Sequence, residues 1–163
     1  MMVSFEEVIK FLCVGGQIDG LRFGSVPQVL ISNSEQNVLE LKGQIYINLA
    51  SRWSIFKSMP FEFPKNEEDI EDIKEYEELL MILEFRNKLI VNATVSIEAS
   101  GLILEFSDGS VFYMHGYNEQ YESWDIGVAF NPRCEHWQVI SMPGGEIVGI
   151  IPDKYREKFV SNS

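Results

Sequence analysis

The chain holds two cysteines and two histidines, and the tightest grouping among them is Cys134-Glu135-His136. On a strand, positions i and i+2 share a face, so this thiol and imidazole could converge on one ion, with His115 as a third ligand. Structural zinc takes four ligands in recognisable pairs, and no second pair accompanies this one; ordinary strand positions are the simpler reading. The same residues supply the parts of a nucleophilic site: a Cys134 thiol, a His115 base, and Asp125 or Glu122 to orient it. No nucleophile-elbow pattern surrounds any serine, however. With 25 acidic residues, a carboxylate pair for general acid–base work can be nominated almost anywhere. Gly15-Gly16 and Pro143-Gly144-Gly145 are turn glycines without the spacing or the lysine of a phosphate-cradling loop. No catalytic residue, metal ligand or cofactor is assigned on these grounds.

Charge narrows the partners. The net charge of −12 opposes nucleic-acid phosphates and anionic lipid surfaces, which basic faces normally recognise. It suits a basic protein partner, because complementary fields accelerate encounter; the plainer reading is that acidity keeps the protein soluble. No apolar run approaches the roughly 20 residues of a membrane span, and Met1-Met2-Val3-Ser4-Phe5 lacks the basic region of a signal peptide. A cytoplasmic protein with reduced cysteines is the expectation. The oligomeric state is not legible.

The elements that would position any site follow from periodicity. Ser4 and Glu7 have capping-box spacing, Phe5, Val8, Ile9 and Leu12 form a helical stripe, and Gly15-Gly16 ends the helix. A strand is expected through Val29-Leu30-Ile31. Leu39, Leu41, Ile45, Ile47 and Leu49 then alternate with polar residues, predicting further strand with Lys42-Gly43-Gln44 as a turn or bulge within it. Between Glu67 and Glu84 lie nine of the 25 acids. Ile70, Ile73, Tyr76, Leu80 and Leu83 recur among them at helical spacing, which predicts a central acidic helix over 66–86. Val91, Ala93, Val95, Ile97 and Ala99 alternate strictly. Asp108-Gly109 between two apolar runs predicts a hairpin. Strands follow at Trp124–Val128, His136–Ile140 and Ile147–Ile151, with a terminal helix from Asp153 to Phe159.

All three tryptophans open a Trp-x-aliphatic tripeptide, at Trp53, Trp124 and Trp137. Superposing Trp53 on Trp124 aligns Val29–Ile55 with Leu102–Ile126, which suggests a repeat with halves 14–58 and 89–151 linked by the 66–86 helix. The expected fold is a single α+β domain over 1–163, mainly antiparallel β, with two meander-like halves, an N-terminal helix and the central acidic helix. Tryptophan beside isoleucine on a strand normally anchors a core. The sharper reading is a binding groove lined by Trp53 and Trp124, with Arg52 and Glu122 at its rim.

The run Leu102-Ile103-Leu104-Glu105-Phe106-Ser107-Asp108-Gly109, followed by Glu122-Ser123-Trp124-Asp125-Ile126, resembles a pattern in small bacterial β-rich proteins. Their signature is a Leu-x-Leu-x-Phe-x-Asp-Gly hairpin and a Glu-x-Trp-x-Ile strand, and some are similar to immunity proteins that accompany polymorphic toxins. The match covers about residues 89–126, with a fainter echo at 18–55. The resemblance implies a β-rich fold and a bacterial, immunity-like context, and it carries over no functional residues. Together these readings give a non-enzymatic protein-binding module, an immunity-type inhibitor of a basic toxin. Its binding residues would be Arg52, Trp53, Glu67, Glu68, Glu71, Asp72, Glu75, Glu122 and Trp124. The alternative is a small-ligand-binding protein or enzyme with its site between the two β halves.

Overall fold

The computed structural model describes residues 2–161. Helix α1 (Phe5–Cys13) begins where the cap spacing places it, with the Ser4 hydroxyl accepting from the Glu7 amide at 3.4 Å. It ends at Gly15, whose φ of +85° suits a residue without a Cβ. Strands β1 (Ile18–Arg22), β2 (Gln28–Ile31) and β3 (Gln44–Leu49) form an antiparallel meander. After β4 (Trp53–Phe56) and helix α2 (Glu75–Leu83) comes a second meander, β5 (Ile90–Val95), β6 (Leu102–Phe106) and β7 (Val111–Met114). Strands β8 (Trp124–Ala129), β9 (Gln138–Ser141) and β10 (Ile147–Ile150) follow.

The architecture is α+β, with a six-stranded sheet ordered β1-β2-β3-β8-β9-β10 and a four-stranded sheet ordered β4-β7-β6-β5. Every ladder between these strands is antiparallel. Each meander is extended by the strand that follows the other one: β4 pairs with β7, and β8 pairs with β3. The chain thus crosses between sheets twice, at 50–52 and at 115–123. The crossovers hold each other, with the His115 amide donating to the Arg52 carbonyl at 3.0 Å and the Ser51 hydroxyl donating to the His115 carbonyl at 2.5 Å.

One core lies between the sheets. Val29, Ile31, Ile45, Ile47 and Ile126 line it from the large sheet; Trp53, Leu102, Leu104, Phe112 and Met114 line it from the small one. Alternation sets this up, since period two sends every second side chain to one face. Strand β7 departs from alternation because both its faces are covered: Val111 and Tyr113 pack with Ile103 and Ile70 on the outer side. Helix α1 closes the core beside Trp137, its Phe11 ring 5.7 Å from the indole and 5.3 Å from Phe159.

Three expectations are corrected. Residues 35–40 are a turn and not a strand, leaving Leu39 exposed while Leu41 is buried. The turn is locked to α1, because the Asn37 side-chain amide donates to the carbonyls of Phe11 and Leu12, and Gln36 donates to that of Val14. These amides satisfy carbonyls that a helix end leaves unpaired. Alternation over 91–99 also stops early. A register shift between Ile90 and Asn92 turns Val91 outward, and 97–99 is a turn.

The third correction concerns the acidic helix. Only Glu75–Leu83 is α-helical; Glu67–Asp69 is a single 3-10 turn, and 70–74 is extended or irregular. The Ile70 side chain is buried against the outer face of the small sheet and its carbonyl accepts from Arg52 Nη1 at 3.2 Å. Continuing the helix would withdraw both contacts and stack like charges one turn apart. The terminal segment Asp153–Phe159 is 3-10 in form.

Candidate functional site

The tryptophans are enclosed. Trp53 faces the core from the small sheet and Trp124 from the large one, each at most 2% exposed, so the two rings form no shared surface groove. Trp124 Nε1 donates to the Ser100 carbonyl at 2.8 Å, and Trp53 lies 5.3 Å from the Phe112 ring. These are core anchors, and Arg52 and Glu122 do not frame an aromatic patch made from them.

The acids expected at the site are brought together differently. Glu67 accepts from the Arg52 backbone amide at 3.1 Å, and Asp72 lies 3.6 Å from Arg52 Nη2. Arg52 therefore staples the 67–72 segment to the start of β4. Glu68, Glu71, Asp72 and Glu75 remain exposed. Beyond them α2 buries Ile82 and leaves Tyr76, Leu80 and Leu83 largely in solvent, at 73%, 48% and 56% exposure. Positions i, i+4 and i+7 share one helical face, so an apolar face stands bare directly after the acidic segment. Burial, then Asp72 and Glu75, hold the Glu78 carboxyl above its ordinary value; negative charge is already crowded there.

A second constellation lies on the outer face of the large sheet. Arg22 Nε donates to Gln28 Oε1 at 2.5 Å, Gln28 Nε2 to Asn48 Oδ1 at 2.6 Å, and Asn48 Nδ2 to Asp125 Oδ2 at 3.0 Å. Gln138 Nε2 donates to the same oxygen from the other side at 3.0 Å, and its Oε1 lies 3.0 Å from His136 Nε2. The row crosses β1, β2, β3, β8 and β9, and on both sides of Asp125 the amide N–H groups point toward it. Strand register builds it, since Arg22 lies opposite Gln28, Gln28 opposite Asn48, and Asn48 opposite Asp125. Burial raises the Asp125 carboxyl above the ordinary aspartate value; the Gln138 and Asn48 amides oppose that shift and Glu122 adds to it. Asp125 Oδ1 is buried without a partner among the described residues. The carboxylate forms part of the wall of an open cleft of about 610 Å³, with Asn48, Tyr121, Glu122 and Met142 also lining it.

No protein-family model, curated protein or solved structure matches this chain. Cys134 is exposed on a turn after β8, His136 is exposed before β9, and His115 is buried at the end of β7. Among the described residues no group of three His, Cys, Asp or Glu side chains is placed to hold a metal ion. Likewise no described helix is long and apolar enough to cross a membrane. His115 borders a smaller cleft of about 270 Å³ shared with Glu67, Glu68 and Glu119, and its Nδ1 has no partner among the described residues. Sequence reading missed the row of amides. Its one visible signal was that Gln28, Asn48 and Gln138 take the outward positions of three strands, which only the register turns into a network.

Proposed function

We propose that this protein is a non-enzymatic binding module whose partner is a basic protein, in the manner of an immunity-type inhibitor that works by occlusion. The observation that carries the reading is the bare Tyr76, Leu80 and Leu83 face of α2 set directly after the acidic segment. Apolar faces of this kind are covered when a partner docks, while the surrounding charge steers its approach. The anchor in this reading is α2 and not the tryptophans, and the steering group is Glu67, Glu68, Glu71, Asp72 and Glu75. The resemblance of the Leu102–Gly109 hairpin and the Glu122–Ile126 strand to immunity-like bacterial proteins points the same way.

The test is co-expression with the products of adjacent genes, followed by association and dissociation rates across a salt series. Neutralising the five acids together should slow association and flatten its salt dependence. Tyr76→Ser with Leu80→Ser should instead speed dissociation. A complex whose rates ignored both sets of changes would overturn the reading, as would the absence of any complex with a basic neighbour at low salt.

A further inference from the structure

The cleft beside Asp125 has what an acidic patch alone lacks, a deeply buried carboxylate with one oxygen already saturated and the other unpaired. Asp125 is 9% exposed. Its Oδ2 accepts from Asn48 and Gln138, both at 3.0 Å, while Oδ1 has no partner among the described residues. A buried acceptor left unmade is costly, and the amide row fixes which oxygen is left over. We propose that this cleft binds a primary ammonium group carried on a short apolar stem.

The donor type follows from the geometry. A guanidinium engages a carboxylate best as a fork across both oxygens, and Oδ2 is already occupied by two amides. An ammonium is a point donor with three N–H groups, able to give one to Oδ1 and to turn another toward Glu122 on the cleft wall. The stem would lie along Val26, Met142 and Pro143, which line the same cleft, and the exposed Tyr121 ring offers a face to the charge. Oδ1 is closed to solvent, so binding requires a local rearrangement of the cleft lining. The site lies where β3 meets β8, far along the chain from α2, and it does not depend on the docking role proposed for that helix.

The experiment is a nuclear magnetic resonance titration of the intact protein with n-butylammonium, with tetramethylammonium as the control that has the charge and no N–H donor. Saturable shifts confined to the amides around Asn48, Glu122 and Asp125, absent with tetramethylammonium, support the site. Asp125→Asn should weaken binding about tenfold or more. Glu122→Gln, on an exposed loop where the fold is not at stake, should weaken it about two- to fivefold. N-acetyl-lysine methylamide separates the sources: binding as tight as that of butylammonium marks the lysine side chain of a protein, and exclusion marks a free amine. Shifts that fail to saturate, or that tetramethylammonium reproduces, would overturn the proposal, as would undiminished binding in both variants.

Discussion

Trp124 and Ser100 join the two sheets through one hydrogen bond, the indole Nε1 of β8 donating 2.8 Å to a carbonyl at the entrance to β6. Ser100 is held for this role in a left-handed conformation with φ of +48°, and its hydroxyl donates to the Gly145 carbonyl at 2.5 Å. Gly116 lies so close that a Cβ there would sit 1.7 Å from the Ser100 oxygen. Gly116→Ala is expected to cost about 3 kcal/mol, since backbone must move to admit one methyl group. Trp124→Phe should cost about 2 kcal/mol by leaving the carbonyl unpaired and the ring site underfilled. Urea unfolding measures both; a Gly116→Ala midpoint equal to wild type would show that the junction is loose.

Arg52 controls order in the acidic segment. Arg52→Ala removes the donors to the Ile70 carbonyl and the charge beside Asp72. It is expected to lower global stability by only about 1 kcal/mol, because the pair is partly exposed. Amide exchange over 67–73 should nevertheless accelerate well beyond that of the rest of the chain. Uniform exchange rates in the variant would mean that the burial of Ile70 holds the segment unaided.

The cysteines should differ sharply. Cys13 is fully buried in α1, where burial pushes its thiol up to about 12, whereas Cys134 is exposed. A thiol-specific colorimetric reagent is expected to titrate one group in native protein and a second only in denaturant. Two equivalents under native conditions would place Cys13 within reach of solvent.

Asp125 and Asp108 should move stability in opposite directions with pH. Burial raises Asp125, so the native state holds that proton more tightly than the unfolded chain. Its contribution therefore worsens as pH rises from the free aspartate value, about 3.9, through the raised native one. Lys88, 2.8 Å away, and Ser110 hold Asp108 well below its ordinary value, giving stability that is present above the free value and is lost on acidification. In the Asp125→Asn variant stability should rise more steeply with pH than in wild type from about 4 upward, whereas in Asp108→Asn the loss of stability on acidification below about 4 should be shallower. Denaturation midpoints on both sides of about pH 4 decide it, and parallel curves for all three proteins would refute both assignments.

What the sequence disclosed was what is local. Ser4 with Glu7 marked the start of α1, and Asp108-Gly109 marked the β6–β7 turn, with Gly109 at φ of +88°, because caps and tight turns are decided within a few residues. The acidic segment departs from a continuous helix for the complementary reason: Arg52 and the outer face of the small sheet, both distant in sequence, capture Ile70 and draw the chain out of helical geometry. Leu39 and Leu41 alternate like strand residues, yet Asn37 is engaged in capping α1, and nothing within that stretch announces it. The Asp125 row was hidden in the same way. Each glutamine and asparagine looks like an ordinary outward residue until register aligns them.

The reciprocal pairing of β4 with β7 and of β8 with β3 also sets the order in which the molecule can assemble. Asn48 and Asp125 are joined across 77 positions, so the β3 edge finds its partner only after most of the chain has been made. Until then both meanders present unpaired edges, which invite association with other chains. Contacts this distant in sequence slow folding, and neither meander alone contains its own closing strand. Separate fragments divided within the 66–74 connection should therefore gain their structure only when mixed, the first lending β4 to β7 and the second lending β8 to β3.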